Sequence, residues 1–254
     1  MERQRMCRLL GCFVIGWLGP AVSPAEEPEA SVDKPASEAA HVVFNSSALQ
    51  AELSGAGIGT IALNNSMLGD AATSFGFAAR SEEANVFLVG ALYSESLAFL
   101  RDDATDLAID RMDALQKQFV SLQVPSAHYG LISRVTNLTK GRKYSQDVLV
   151  EMLSLVQPFL EEHLRSRSED FLTLFRAGSW LADLRMVAAA GRTDLLRQQA
   201  HLAYIVDEMK RLEAPAGVTD ALKEIAGAIS NDEVTTRDAN TVIEQVKRIQ
   251  SLLG

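Results

Sequence analysis

The chain has 254 residues, with 24 Lys plus Arg against 33 Asp plus Glu, a hydrophobic fraction of 47% and two cysteines. That composition is globular, and it excludes collagen-like, low-complexity and disulfide-stapled architectures, since 16 Gly and 7 Pro are no excess and two Cys cannot build a framework. No stretch reaches the roughly 18 uncharged apolar residues of a bilayer-spanning helix, and the acidic balance offers no cationic footprint for nucleic acid.

At the N-terminus Arg3, Arg5 and Arg8 precede an apolar run from Leu9 to Leu18, a Gly-Pro break and Ser23-Pro24-Ala25. This order is that of a secretory signal peptide over residues 1–25, and it predicts cleavage after Ala25 and a periplasmic or secreted product. As a helix the apolar run spans only about 15 Å, half the hydrocarbon thickness, which argues against an uncleaved anchor. Leu9-Leu10-Gly11-Cys12 resembles a lipoprotein cleavage site, but Phe13, Val14, Ile15 and Trp17 follow Cys12, whereas a lipidated cysteine should follow its apolar run. Cleavage would remove Cys7 and Cys12 and leave no thiol for catalysis, metal or disulfide exchange. Loss of Arg3, Arg5, Arg8 and Glu2 would take the net charge from −9 to about −11.

Residues 26–41 are acidic, contain Pro and Ala, and are almost free of large apolar side chains, so they predict a disordered tether. Residues 42–79 read as a helical segment interrupted by Gly55, Gly57, Gly59 and Gly69.

From Arg80 a pattern occurs twice. Arg80-Ser81-Glu82-Glu83 returns 87 positions later as Arg167-Ser168-Glu169-Asp170, and the same offset matches Tyr93 with Trp180 and Leu97 with Leu184. At an offset of 90, Met112, Leu115, Phe119, Leu122 and Pro125 fall on Leu202, Ile205, Met209, Leu212 and Pro215. Each unit predicts four helices, over 81–101, 104–123, 126–139 and 146–163, then 168–190, 193–213, 216–229 and 236–253. Pro125 and Pro215 are expected to end the second helix of each unit, Pro158 to bend the fourth helix of the first, and Thr235-x-x-Asp238 to cap the last helix.

The first helix of each unit is apolar on most of its circumference, which marks a central helix. Gly90 and Gly178 occupy corresponding places in them and predict a close approach around a pseudo-two-fold axis. Val89-Gly90-x-x-Tyr93 with Pro125 resembles the tetratricopeptide pattern, but 35 residues already separate Gly90 from Pro125, more than that 34-residue repeat contains. The likeness stops at helix-pair architecture.

Reactive motifs are silent. His41, His128, His163 and His201 each lack the His-x-x-x-His or Glu-x-x-His spacing of helical metal sites. Gly55-x-Gly57-x-Gly59 lacks the lysine and preceding strand of a phosphate loop. Neighbouring carboxylates such as Asp102-Asp103, Glu161-Glu162 and Asp207-Glu208 point about 100° apart on a helix, so a solvated face is the default. Trp180 stands on the second apolar helix, which Arg176 and Arg185 interrupt at nine-residue spacing; if buried, these arginines need carboxylate partners or an anionic ligand.

The chain therefore reads as an all-α helical bundle or short α-solenoid made of two tandem four-helix units with a pseudo-two-fold relation, repeat unit 1 at 80–166 and repeat unit 2 at 167–254. The expected function is an exported, non-catalytic interaction or scaffold protein with another protein as partner and no cofactor, metal, nucleic acid or membrane insertion after signal cleavage. The alternative is a periplasmic small-molecule binder with a cleft between the repeats near Tyr93, Arg176, Trp180 and Arg185. Carboxylate-based catalysis ranks third.

Overall fold

The computed structural model describes Leu49, Glu52 and residues 81–253; the expected signal peptide, the tether and all but Leu49 and Glu52 of the glycine-interrupted segment lie outside the described residues. The described part is all-α, without a strand. In chain order its helices are α1 (Glu82–Arg101), α2 (Thr105–Ser121), α3 (Ser126–Gly141), α4 (Gln146–Ser154), α5 (Val156–Arg167) and α6 (Glu169–Ala189). A short 3-10 helix (Thr193–Leu196) precedes α7 (Gln199–Arg211), α8 (Ala216–Ile229) and α9 (Thr236–Leu253). All of them belong to one compact unit, residues 39–254. No described helix is long and apolar enough to cross a membrane.

Helices α1 and α6 form the axis. Each begins on a serine cap, with Ser81 Oγ accepting from Ala84 N at 3.2 Å and Ser168 Oγ from Asp170 N at 3.1 Å, and each carries two acidic residues in its first turn, where the helix dipole favours them. Beyond that turn almost every side chain of both is buried, so these helices have partners on all sides. α2 and α4 pack on α1, α5 and α9 on α6, and α8 joins α7 to α9. Leu49 reaches the same core.

The two axial helices touch backbone to backbone. A Cβ on Gly90 would fall on the Phe175 carbonyl oxygen and 2.8 Å from Ser179 N; one on Gly178 would fall on the Phe87 carbonyl and 3.3 Å from Ala91 N. The contacts are reciprocal under a shift of 88 residues, from Gly90 to Gly178 and from Phe87 to Phe175. Only glycine permits this approach, because any side chain would have to occupy the neighbouring main chain.

Three boundaries differ from expectation. The fourth helix of the first half is interrupted at Leu155, giving α4 and α5, while Leu155 itself keeps right-handed helical dihedrals (φ −65°, ψ −16°). Pro158 supplies no N–H to the Ser154 carbonyl and its ring crowds that same group, so α4 ends at Ser154, four residues upstream. α2 and α7 end at Ser121 and Arg211, well before their prolines, through left-handed residues Gln123 (φ 56°) and Glu213 (φ 52°). There Val124 N donates to Phe119 O at 3.0 Å and Ala214 N to Met209 O at 3.0 Å, the wrap that satisfies a helix's last carbonyls. Pro125 and Pro215 then cap α3 and α8, so they start helices where they had been expected to stop them. The stretch expected to be helical from residue 193 opens instead as the 3-10 turn, closed outside by the Arg192–Asp194 fork (2.8 and 2.6 Å) and inside by buried Leu196. At α9 the capping box forms: Thr235 N donates to Asp238 Oδ2 at 2.8 Å and Asp238 N to Thr235 Oγ1 at 3.3 Å.

Gly90→Ala tests the close crossing by the sign of its effect. Alanine normally stabilises a helix interior by about 1 kcal/mol over glycine; here the helices must separate, and a net destabilisation of about 1–3 kcal/mol is expected in urea unfolding.

Candidate functional site

A helix buried on all sides can keep a charged residue only beside a partner. Glu95 on α1 is 4% exposed and Arg185 on α6 is 1% exposed, and Arg185 Nη2 donates to Glu95 Oε1 at 2.9 Å. Arg111 on α2, also buried, sets its Nε 2.7 Å from Glu95 Oε2, a charge contact without hydrogen-bond alignment. Arg185 Nη1 donates to Gln250 Oε1 of α9 at 2.8 Å. Four helices thus meet on an Arg–Glu–Arg triad that excludes water.

Beside the triad, Ser94 Oγ donates to Asp183 Oδ1 in a fully buried bond across the same interface. Burial pulls the Arg101 guanidinium below its ordinary value, and nearby Asp183 partly restores it. Tyr93, fully buried, donates from its hydroxyl to Gln157 Oε1 at 3.5 Å; Gln157 Nε2 donates to Glu161 Oε1 at 2.8 Å, and Arg176 Nη2 to Glu161 Oε2 at 2.6 Å. This chain runs from the core across α5 to the surface. Burial pushes the Tyr93 phenol far above its usual range, Arg101 opposes the shift, and Glu161 and Asp183 add to it, so Tyr93 is held as a neutral donor.

The four residues singled out in the sequence therefore divide. Tyr93 and Arg176 share one network, though joined through Gln157 and Glu161 and not around a cleft. Arg185 faces α1, α2 and α9, and its required carboxylate is Glu95. Trp180 points toward α7, with its ring 6.1 Å from that of His201 and 8° from parallel, and its buried Nε1 has no hydrogen-bond partner among the described residues. An open cleft of about 800 Å³ among the described residues lies away from these four, between the end of α1, the start of α2 and the α3–α4 loop, with Leu100, Asp106, Arg142, Tyr144 and Leu149 in its walls. The neighbouring carboxylates diverge: Glu161 serves Arg176 whereas Glu162 serves Arg165, and Asp207 serves Lys210 whereas Glu208 serves Arg211.

Sequence reasoning missed Glu95, Arg111 and Asp183. The signal was present for the axial helices, because Ser94-Glu95-Ser96 and Asp183 interrupt runs with no solvated face and so had to be paired. It also missed that His128 and His163, each alone on its helix, are brought together. Their ring centroids are 6.3 Å apart with planes at 73°, and Phe159 stacks on His128 at 5.7 Å and 21°. Among the described residues no group of three or more His, Cys, Asp or Glu could hold a metal ion.

What fold and site define is an all-α bundle whose charges are spent on its own assembly. No family model matches the chain, and neither the curated proteins nor the solved structures yield a match.

Arg185→Met would leave Glu95 with the misaligned Arg111 contact alone, and a loss of about 3–5 kcal/mol is expected in chemical unfolding. Joint replacement of Glu95, Arg111 and Arg185 by apolar residues of similar volume should restore most of it; no recovery would show that the triad is not a closed set. The second expectation concerns pH. Burial, Arg167 and His128 all lower the His163 pKa below its ordinary 6.5. The unfolded chain then binds the extra proton first, so stability falls as pH drops below about 6.5 toward the folded value. His163→Gln should flatten that part of the stability–pH curve, and an unchanged slope would contradict it.

Proposed function

We propose that the protein is exported and acts without catalysis, as a helical module that docks another protein through the outer face of α4 and α5. The observation that carries this reading is the exposure of Leu155 (55%) and Phe159 (56%), four residues apart where α5 begins, with Val148 (39%) also exposed on α4. Large apolar side chains gathered on one helical face, next to a core that has buried nearly all its others, favour association over solvation.

Export rests on the order of charge, apolar run and small residues before Glu26. The body is proposed to descend from two tandem four-helix units. Supporting this are the reciprocal glycine contacts, the left-handed ends at Gln123 and Glu213, and the helix-starting Pro125 and Pro215. The alternative, a small-molecule binder, draws its support from the 800 Å³ cleft beside Tyr144, away from Trp180.

Cross-linking in a periplasmic extract tests the docking face by comparison. Leu155→Glu with Phe159→Glu should abolish a discrete cross-linked protein that the unsubstituted chain retains, with the melting midpoint unchanged. Identical capture by both forms would overturn the reading, as would a chain recovered from cells whose N-terminus is not near Glu26.

A further inference from the structure

Between Lys143 and Arg165 the chain carries no lysine or arginine, while Asp147, Glu151, Glu161 and Glu162 fall in the same stretch. Glu161 is engaged by Arg176 and Glu162 by Arg165, but Asp147 and Glu151 are exposed and join no ion pair among the described residues. Of the six large apolar side chains exposed among the described residues, four lie in this stretch: Tyr144, Val148, Leu155 and Phe159. The open cleft adjoins it through Tyr144 and Asp147, and its walls set Asp103, Asp106 and Asp147 against the single guanidinium of Arg142. Apolar anchors and unanswered carboxylates therefore share one track, from the cleft along α4 into α5. We propose that the docked partner presents a basic amphipathic helix, whose apolar side chains cover Leu155 and Phe159 and whose lysines or arginines meet Glu151 and the acidic cleft. This assignment rests on the docking face proposed above and specifies what that face receives.

The sign of the partner follows from the cost of covering a carboxylate. A neutral or acidic segment laid over Leu155 would desolvate Glu151 with nothing to answer it, whereas a lysine or arginine pairs with it. The helical form follows from the backbone of the receiving face. Leu155 N donates to Glu151 O at 3.3 Å, so a helical hydrogen bond spans the α4–α5 junction and the exposed ridge has no sheet edge to which a strand could add. An extended segment would leave its own N–H and C=O groups unpaired wherever it covered Leu155 and Phe159; a helix arrives with them satisfied. Leu155 and Phe159 are one turn apart, about 6 Å along the axis, the interval at which i and i+4 side chains of a facing helix recur.

Two fluorescent synthetic peptides of about 18 residues, long enough to hold a helix, test the assignment on the full chain by anisotropy. They share leucines at i and i+4 and differ in the polar face, lysine in one and glutamate in the other. The lysine peptide is expected to bind at least about tenfold more tightly, with an affinity that falls as salt is raised, a readout that needs no variant. Glu151→Lys should weaken it about tenfold, and Leu155→Ala with Phe159→Ala should weaken it further. The net charge of −9 attracts any cation, so Glu233→Lys on the exposed α8–α9 loop is the control and should leave the affinity nearly unchanged. Equal binding of the two peptides, lost in the double-alanine chain, would overturn the basic partner and keep the docking face. A lysine peptide indifferent to both alanines would remove the face as well. Binding of neither peptide, equal weakening by Glu151→Lys and Glu233→Lys, or self-association of the chain through Leu155 and Phe159 would each overturn the assignment, the last by making a second copy the occupant.

Discussion

The contact of α1 with α6 at Gly90 and Gly178 governs the rest of the structure. Once two main chains meet there, the residues one turn further along are drawn into a gap too narrow for water. Ser94 and Glu95 on one side, Asp183 and Arg185 on the other, occupy that gap. Their hydrogen bonds follow from the approach: desolvated carboxylates and guanidinium groups must find each other when solvent is shut out.

Such a network adds less stability than its short distances suggest, because removing each ion from water offsets most of the Coulomb gain. Its stronger effect is on register. Sliding α6 along α1 by one turn, about 5.4 Å, would separate Arg185 from both Glu95 and Gln250 and strand two or more buried polar groups. An apolar interface would tolerate the same slip by exchanging one leucine for another. The triad also reaches α2 and α9, so the register of the axis is communicated to the first half and to the C-terminal helix together.

The helical content and the central position of α1 and α6 were legible because apolar periodicity reports burial directly, and all-round apolarity can be satisfied only in a core. The Thr235–Asp238 box was legible for the same local reason. Helix ends were not: Gln123 and Glu213 adopt a conformation usually left to glycine, so no residue type announced them. The close approach of Gly90 and Gly178 was legible as well, from small residues at corresponding places in two all-apolar helices. His128 and His163 were invisible as a pair because 35 positions and two turns separate them, and only the packing of α3 on α5 brings them together.

Polar groups are distributed unevenly through the bundle in a way that bears on function. At the axis, the Glu95–Arg185 and Ser94–Asp183 bonds answer charge with charge and donor with acceptor. On the α3–α5 layer His128 Nδ1 and His163 Nε2 lack partners among the described residues, as Arg185 Nε and Ser179 Oγ do at the axis, and Leu155 and Phe159 stand in solvent. Phe159 belongs to both features, stacked on His128 by one face and exposed elsewhere. A body that covered Phe159 would therefore bear on the histidine pair as well. Leu155 lies outside the ring stack, so its replacement perturbs the apolar face while leaving the imidazoles as they are.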